Sequence, residues 1–163
     1  MANQGMAGGQ VVITRDFAAP RELVFEAWAD REQLLGWFAP RGCQISFRQF
    51  DFRVGGQFHS CIKTPDGSEC WCKGEYRRIV KPDLIEFTMV VSNAAMESLE
   101  PIDAGMDPAW PKETVVTVTL DEHGKGTRLT LRQTVDEALA KRTGAHPSWL
   151  DMLDQLAERL AAQ

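Results

Sequence analysis

No apolar run in the chain exceeds three residues, so no segment reads as a membrane-spanning helix and no membrane insertion is expected. Basic charge is scarce too. Eighteen Lys and Arg stand against 23 Asp and Glu, a net charge of −5, where binding nucleic acid calls for a basic stripe to neutralise phosphates. No nucleic-acid partner is expected. Met1 to Gln10 holds neither a basic stretch nor an apolar core, so no signal peptide is read there and the expected location is cytoplasmic. The usual catalytic signatures are missing: there is no GxSxG, HExxH, Walker A or GxGxxG. Gly124-Lys125-Gly126-Thr127 resembles a phosphate loop only on the surface, because it joins two strands and opens no helix. No cofactor is expected. Four cysteines without a secretory signal read as free thiols.

What is present is an ordinary globular composition, 44% hydrophobic over 163 residues, enough for one domain with its own core. Residues 1–9 are small and polar and read as a disordered tail, leaving 10–163 as a single domain. Val11 to Phe17 alternates as a first strand. Pro20 opens a short helix carrying Leu23, Val24, Ala27 and Trp28 on one face, and Asp30 starts a second that ends by Pro40. From Cys43 the period becomes two. Six strands follow, broken by Gly55-Gly56, Pro65-Asp66-Gly67, Pro82-Asp83 and Gly124-Lys125-Gly126, which predicts an antiparallel meander. Pro147 to Ala162 is helical, with a stripe of Trp149, Leu153, Leu156 and Leu160 broadened by Leu150 and Ala157.

Register arithmetic assigns the faces. If the short turns pair odd with even positions, Cys70, Cys72, Tyr76, Arg78 and Val80 face Phe87 and Met89, while Trp71, Lys73, Glu75 and Arg77 face solvent. The same parity adds His59, Cys61, Phe50 and Phe52 to the inner face, and pairs Val116, Val118 and Leu120 with Leu129 and Leu131. An apolar sheet face and an apolar helix stripe must bury each other.

Four side chains suited to metal, His59, Cys61, Cys70 and Cys72, then share one hairpin face. Alternate strand residues lie roughly 7 Å apart, however, which suits small buried hydrophobes better than a tetrahedral zinc knuckle. His59 and Tyr76 are the inward groups able to move a proton. Asp51 and Arg53 read as a surface ion pair. Trp28 and Trp149 read as core, whereas Trp37, Phe38 and Trp110 sit where a pocket mouth would be; Trp71 reads as a contact on the solvated face. Residues 92–113 are too long for a meander turn. They carry Met96, Leu99, Ile102, Met106 and Trp110, and are expected either to close one end of the cavity, with Trp110 near Trp37 or Phe38, or to form a homodimer contact.

This order, one strand, two short helices, six strands and a long final helix, resembles the helix-grip (START-like, SRPBCC) superfamily. The stretches ITRDFAAPRELVFEAWADREQLLGWFAPRG (13–42), DFRVGGQF (51–58), PDG (65–67), KGEYRRIVKPDLIEFT (73–88), GMDPAWP (105–111), ETVVTVTLDEHGKGTRLTLR (113–132) and GAHPSWLDMLDQLAERL (144–160) are similar to those of the activator of heat shock protein 90 ATPase homologue-like family, in its single-domain bacterial form. The resemblance implies an α+β fold with a curved antiparallel sheet of six or seven strands around the C-terminal helix. It also implies a cavity between the sheet and the C-terminal helix for a small, largely apolar ligand, against Trp37, Phe38, Phe50, Phe52, His59, Tyr76, Phe87, Met89, Trp110 and Trp149. A chaperone partner in stress response is a second implication, and a cofactor-independent cyclase or dehydratase working through His59 and Tyr76 a third. Ending the chain at Ser148 removes the stripe that covers the sheet. The shortened protein should show no cooperative thermal transition by circular dichroism.

Overall fold

The computed structural model describes residues 9–162. The tail expected over residues 1–8 lies outside them, and the carbonyl of Gly9 already accepts the Glu137 N–H at 2.9 Å. Strand β1 (Gln10–Phe17) leads into helix α1 (Arg21–Ala29) and the single turn α2 (Arg31–Leu34). Six strands follow: β2 (Gln44–Phe50), β3 (Gln57–Lys63), β4 (Glu69–Val80), β5 (Leu84–Ser92), β6 (Glu113–His123) and β7 (Gly126–Asp136). Helices α3 (Glu137–Thr143) and α4 (Ala145–Ala161) end the chain. All pairings are antiparallel in one curled, open sheet of order β1-β7-β6-β5-β4-β3-β2, so the helix-grip architecture expected from the sequence is present.

The inner face is apolar because alternate residues of the long strands are. Val116, Val118, Leu120, Leu129 and Leu131 are all essentially inaccessible, and α4 covers them with Trp149, Leu153, Leu156 and Leu160. Met152, not Leu150, broadens that stripe; Leu150 is 40% exposed. Helix α3 occupies a stretch to which the sequence pattern assigns no element. The Asp136 carboxylate accepts the Leu139 N–H at 3.1 Å as its N-cap, and Gly144 ends it at a left-handed φ of 91° that a residue with a Cβ adopts only under strain.

Three features shift the expected register. Lys63 pairs with Glu69, so the hairpin loop holds the five residues Thr64 to Ser68 and odd positions oppose odd. Phe58 therefore faces Gly74 on the inner side, and His59 and Cys61 join Lys73 and Trp71 outside. Arg48 is a bulge in β2: Phe47 pairs with Ser60 and Phe50 with Phe58, so two phenylalanines at odd separation both point inward. A second bulge at Arg77 lies between Tyr76↔Phe87 and Arg78↔Glu86. It turns Arg78 and exposed Val80 outward and brings Ile79 in, against expectation, and the Arg78 guanidinium then grips the Glu86 carboxylate with two 3.1 Å bonds. Cys70 keeps its inner parity but lies past the end of the core and is exposed.

Gly74 is the position where the absence of a side chain positions the site. A Cβ there would overlap the Thr88 carbonyl and the Phe58 ring, so the glycine lets Phe58 lie across β4 and reach the interior. Gly74→Val should lower the unfolding free energy by about 2–3 kcal/mol, the upper range for overpacking, as read from the urea midpoint.

Candidate aromatic cavity

A small cavity walled by rings lies between the inner face and the two short helices, not against the C-terminal helix as expected, because the α4 stripe packs tightly on the sheet and none of its residues lines the cavity. Trp28 comes from α1, Leu34 and Phe38 from α2 and the segment after it, and Phe47 from β2. Phe58 of β3, Tyr76 of β4, and Ile85 and Phe87 of β5 complete the wall. Two ring pairs in the wall take the favoured edge-to-face arrangement, Phe58 to Phe87 at 6.0 Å and 79° and Trp28 to Phe38 at 5.8 Å and 70°, and the other three are tilted. The volume is about 20 Å³, room for one water-sized sphere. Phe38 and Phe47 are half-buried while Trp28, Phe58 and Phe87 are buried, so the first two rings form the mouth.

The wall is electrically neutral. Its polar atoms are the Trp28 indole nitrogen and the Tyr76 hydroxyl. Burial alone pushes the Tyr76 phenol well above its ordinary range, so it keeps its proton at any physiological pH. Behind the wall, Trp37 is 1% exposed and donates its indole N–H to the Ala27 carbonyl at 3.1 Å. Trp149 donates to Gln133 Oε1 at 2.9 Å, and Gln133 passes a 3.1 Å bond to Thr114, a satisfied polar chain through the sheet. Trp37, expected at the mouth, is thus deep core. Phe50 and Phe52 flank Tyr76 at 6.2 and 4.8 Å just outside the cavity, and Met89 packs farther along the inner face.

His59 is elsewhere. It is 3% exposed on the outer face, its ring 4.9 Å from Trp71 and its Nε2 3.0 Å from the Asn93 carbonyl oxygen. The Arg48 guanidinium lies 4.6 Å above the same Trp71 ring and donates to the Ala94 carbonyl at 2.9 Å, and Lys73 Nζ donates to that of Met96 at 3.0 Å. The start of the 92–113 segment is therefore fastened to the back of the sheet by three side chains reading its carbonyls, and Trp71 and Lys73 are half-buried rather than solvated. His59 and Tyr76 sit on opposite faces of the sheet, so they cannot form one acid–base pair. The four-ligand cluster is divided in the same way, with His59 and Cys61 outside and Cys70 and Cys72 on the inner parity. Among the described residues no group of three or more His, Cys, Asp or Glu is gathered for a metal. Burial pushes the Cys61 thiol upward and that of Cys72 to about 12, so both stay protonated. Trp110 makes no ring contact with Trp37 or Phe38. With Pro40, Met106, Arg142 and Ser148 it borders a separate, open hollow of about 570 Å³ at the α3–α4 corner. Asp51 and Arg53 do pair, at 2.8 Å.

Strand parity thus found Tyr76 and Phe87 among the lining residues, the position after the helix break found Phe38, and Phe47, Phe58, Trp28, Leu34 and Ile85 were missed. The missing signal for Phe58 was the Thr64-Pro65-Asp66-Gly67-Ser68 turn. There the Asp66 carboxylate accepts the Ser68 N–H at 3.0 Å and the Thr64 hydroxyl, which hold its pKa down to about 2, and Gly67 adopts a φ of 88°. This Asx turn closes the five-residue loop set by the Lys63–Glu69 pair.

A curled antiparallel sheet with a long C-terminal helix packed on its inner face defines a helix-grip protein. A profile of the Activator of Hsp90 ATPase homolog 1-like protein family matches residues 18–161, and the chain belongs to that family. Solved structures agree in fold. One from Arthrobacter aurescens has a TM-score of 0.81 at 21% identity, covering 96% of this chain and 88% of that one. One from Nitrosomonas europaea has 0.75 at 25%, covering 96% of each. A structure titled AHSA1 protein from Silicibacter pomeroyi has 0.75 at 22%, covering 94% of this chain and 99% of that one. No curated protein matches the chain. No helix among the described residues is long and apolar enough to cross a membrane.

His59→Ala should release the insertion without touching the cavity. Amide exchange over 93–98 should accelerate and stability fall by about 1–2 kcal/mol, while the Phe87 and Tyr76 ring signals keep their shifts.

Proposed function

We propose that this protein binds a small, largely apolar molecule in the cavity between the inner sheet face and the two short helices. The observation that carries this is the wall itself, in which six of eight lining side chains are aromatic and none is charged. Two of those rings, Phe38 and Phe47, are half-buried at the mouth, and Phe38 lies beyond the end of α2. An occupied pocket of ordinary size is about 300 Å³ or more, far above the 20 Å³ of the closed form. Entry therefore requires Phe38 and Phe47 to turn outward, and the apparent affinity is reduced by the fraction of time the cage is closed. Stimulation of a chaperone ATPase is a second reading that rests on the family description alone.

A panel of small aromatic and acyl compounds, scored by melting temperature and mapped by NMR, tests the first reading. Binders should stabilise the fold, by about 2.7 kcal/mol at a hundredfold excess over Kd, and perturb Phe38, Phe47, Tyr76 and Phe87. Phe47→Trp, which fills the mouth, should weaken them at least tenfold while melting stays cooperative. Perturbations confined to the hollow beside Trp110 or to the outer face would move the site away from the cavity.

A further inference from the structure

Three tryptophan indoles crowd the interior, and only two have partners. Trp37 and Trp149 donate to Ala27 and Gln133, whereas the Trp28 indole nitrogen is buried with no hydrogen bond, although Trp28 is 3% exposed. Buried donors without acceptors are few in native proteins, because desolvating an N–H forfeits its bond to water. Trp28 is also a wall of the cavity. So is Tyr76, whose hydroxyl has no hydrogen-bond partner within the protein and is less completely buried than the Trp28 nitrogen. The two side chains flank one ring, Phe87, at centroid distances of 6.5 Å from Trp28 and 5.8 Å from Tyr76. Two uncommitted donors thus border one apolar cavity whose lining holds no cation.

We propose that the ligand is a neutral carbonyl compound, a ketone or ester with an apolar body, whose oxygen accepts from the Trp28 indole N–H and the Tyr76 hydroxyl. This rests on the reading of the cavity as a ligand site and specifies its chemistry. A carboxylate is disfavoured, because burying its charge would require a cation that the wall does not supply. A pure hydrocarbon would leave the Trp28 donor unpaired and would shield the Tyr76 hydroxyl from water. A carbonyl oxygen has two lone pairs and can satisfy both at once.

The test uses the full chain labelled with 15N and two probes of one shape, 2-acetylnaphthalene and 2-isopropenylnaphthalene, in which C=O is replaced by C=CH2. Both should bind, the ketone about tenfold tighter, and only the ketone should move the Trp28 indole N–H signal downfield. Trp28→Phe and Tyr76→Phe each keep a ring in place and should cut the ketone's advantage to about threefold or less. If one variant fails to melt cooperatively, the other carries the comparison. Equal affinities, or an unmoved Trp28 signal with both probes bound, would overturn the carbonyl proposal and leave the cavity reading standing. Binding of neither probe would sink both.

Discussion

The structure depends on covering one face of an open sheet. Strands β1, β6 and β7 present a continuous inner surface of Val, Leu and Ile, and each of those side chains contributes roughly 1.5–3 kcal/mol only if something excludes water from it. Helix α4 does this with a stripe of four residues, and Trp149 fixes its position by donating to Gln133, which in turn bonds Thr114. That chain of two bonds ties the helix to β7 and β6 and leaves no polar atom unpaired along it. Helix α1 covers the rest with Val24, Phe25, Ala27 and Trp28. The far half of the sheet, β2 to β4, receives aromatic rings in place of a second long helix, and the cavity lies where rings meet helix.

Ring-on-ring packing explains why the cavity is both closed and apolar. Edge-to-face contacts such as Trp28 with Trp37 at 4.8 Å and Phe52 with Tyr76 at 4.8 Å fill space with few, large, stiff pieces. Pieces of that size leave gaps smaller than themselves, and moving a single ring opens room for another of equal size. An aliphatic core of the same volume would close by many small adjustments and offer no discrete opening.

Much of this was legible in the sequence, and the errors of strand register share one cause. Strand order, the two short helices, the final stripe and the inward rows of β5, β6 and β7 follow from periodicity, because in those strands nothing interrupts the alternation. Periodicity misplaced His59 and Cys61, overlooked Phe47 and Phe58, and put Arg78 on the wrong side, because β2 to β4 contain two bulges and an odd loop. Each of these reverses parity. The Asp136 N-cap and Gly144 that delimit α3 were readable as letters, and only their helix went unassigned. That Trp28 lacks a partner while Trp149 has one depends on distances across the core, which no local pattern carries.

The five-residue loop between β3 and β4 also acts like a reading frame. Deleting or inserting a single residue between Thr64 and Ser68 would change no side chain of β3, yet would exchange its two faces against β4. Phe58 would then leave the cage and His59 would enter it, taking an imidazole from the back of the sheet to the side of Tyr76. The fold thus stands one loop residue away from holding a proton-transfer pair in an apolar chamber. Within such a scaffold, a binder and a catalyst can differ by the length of a turn.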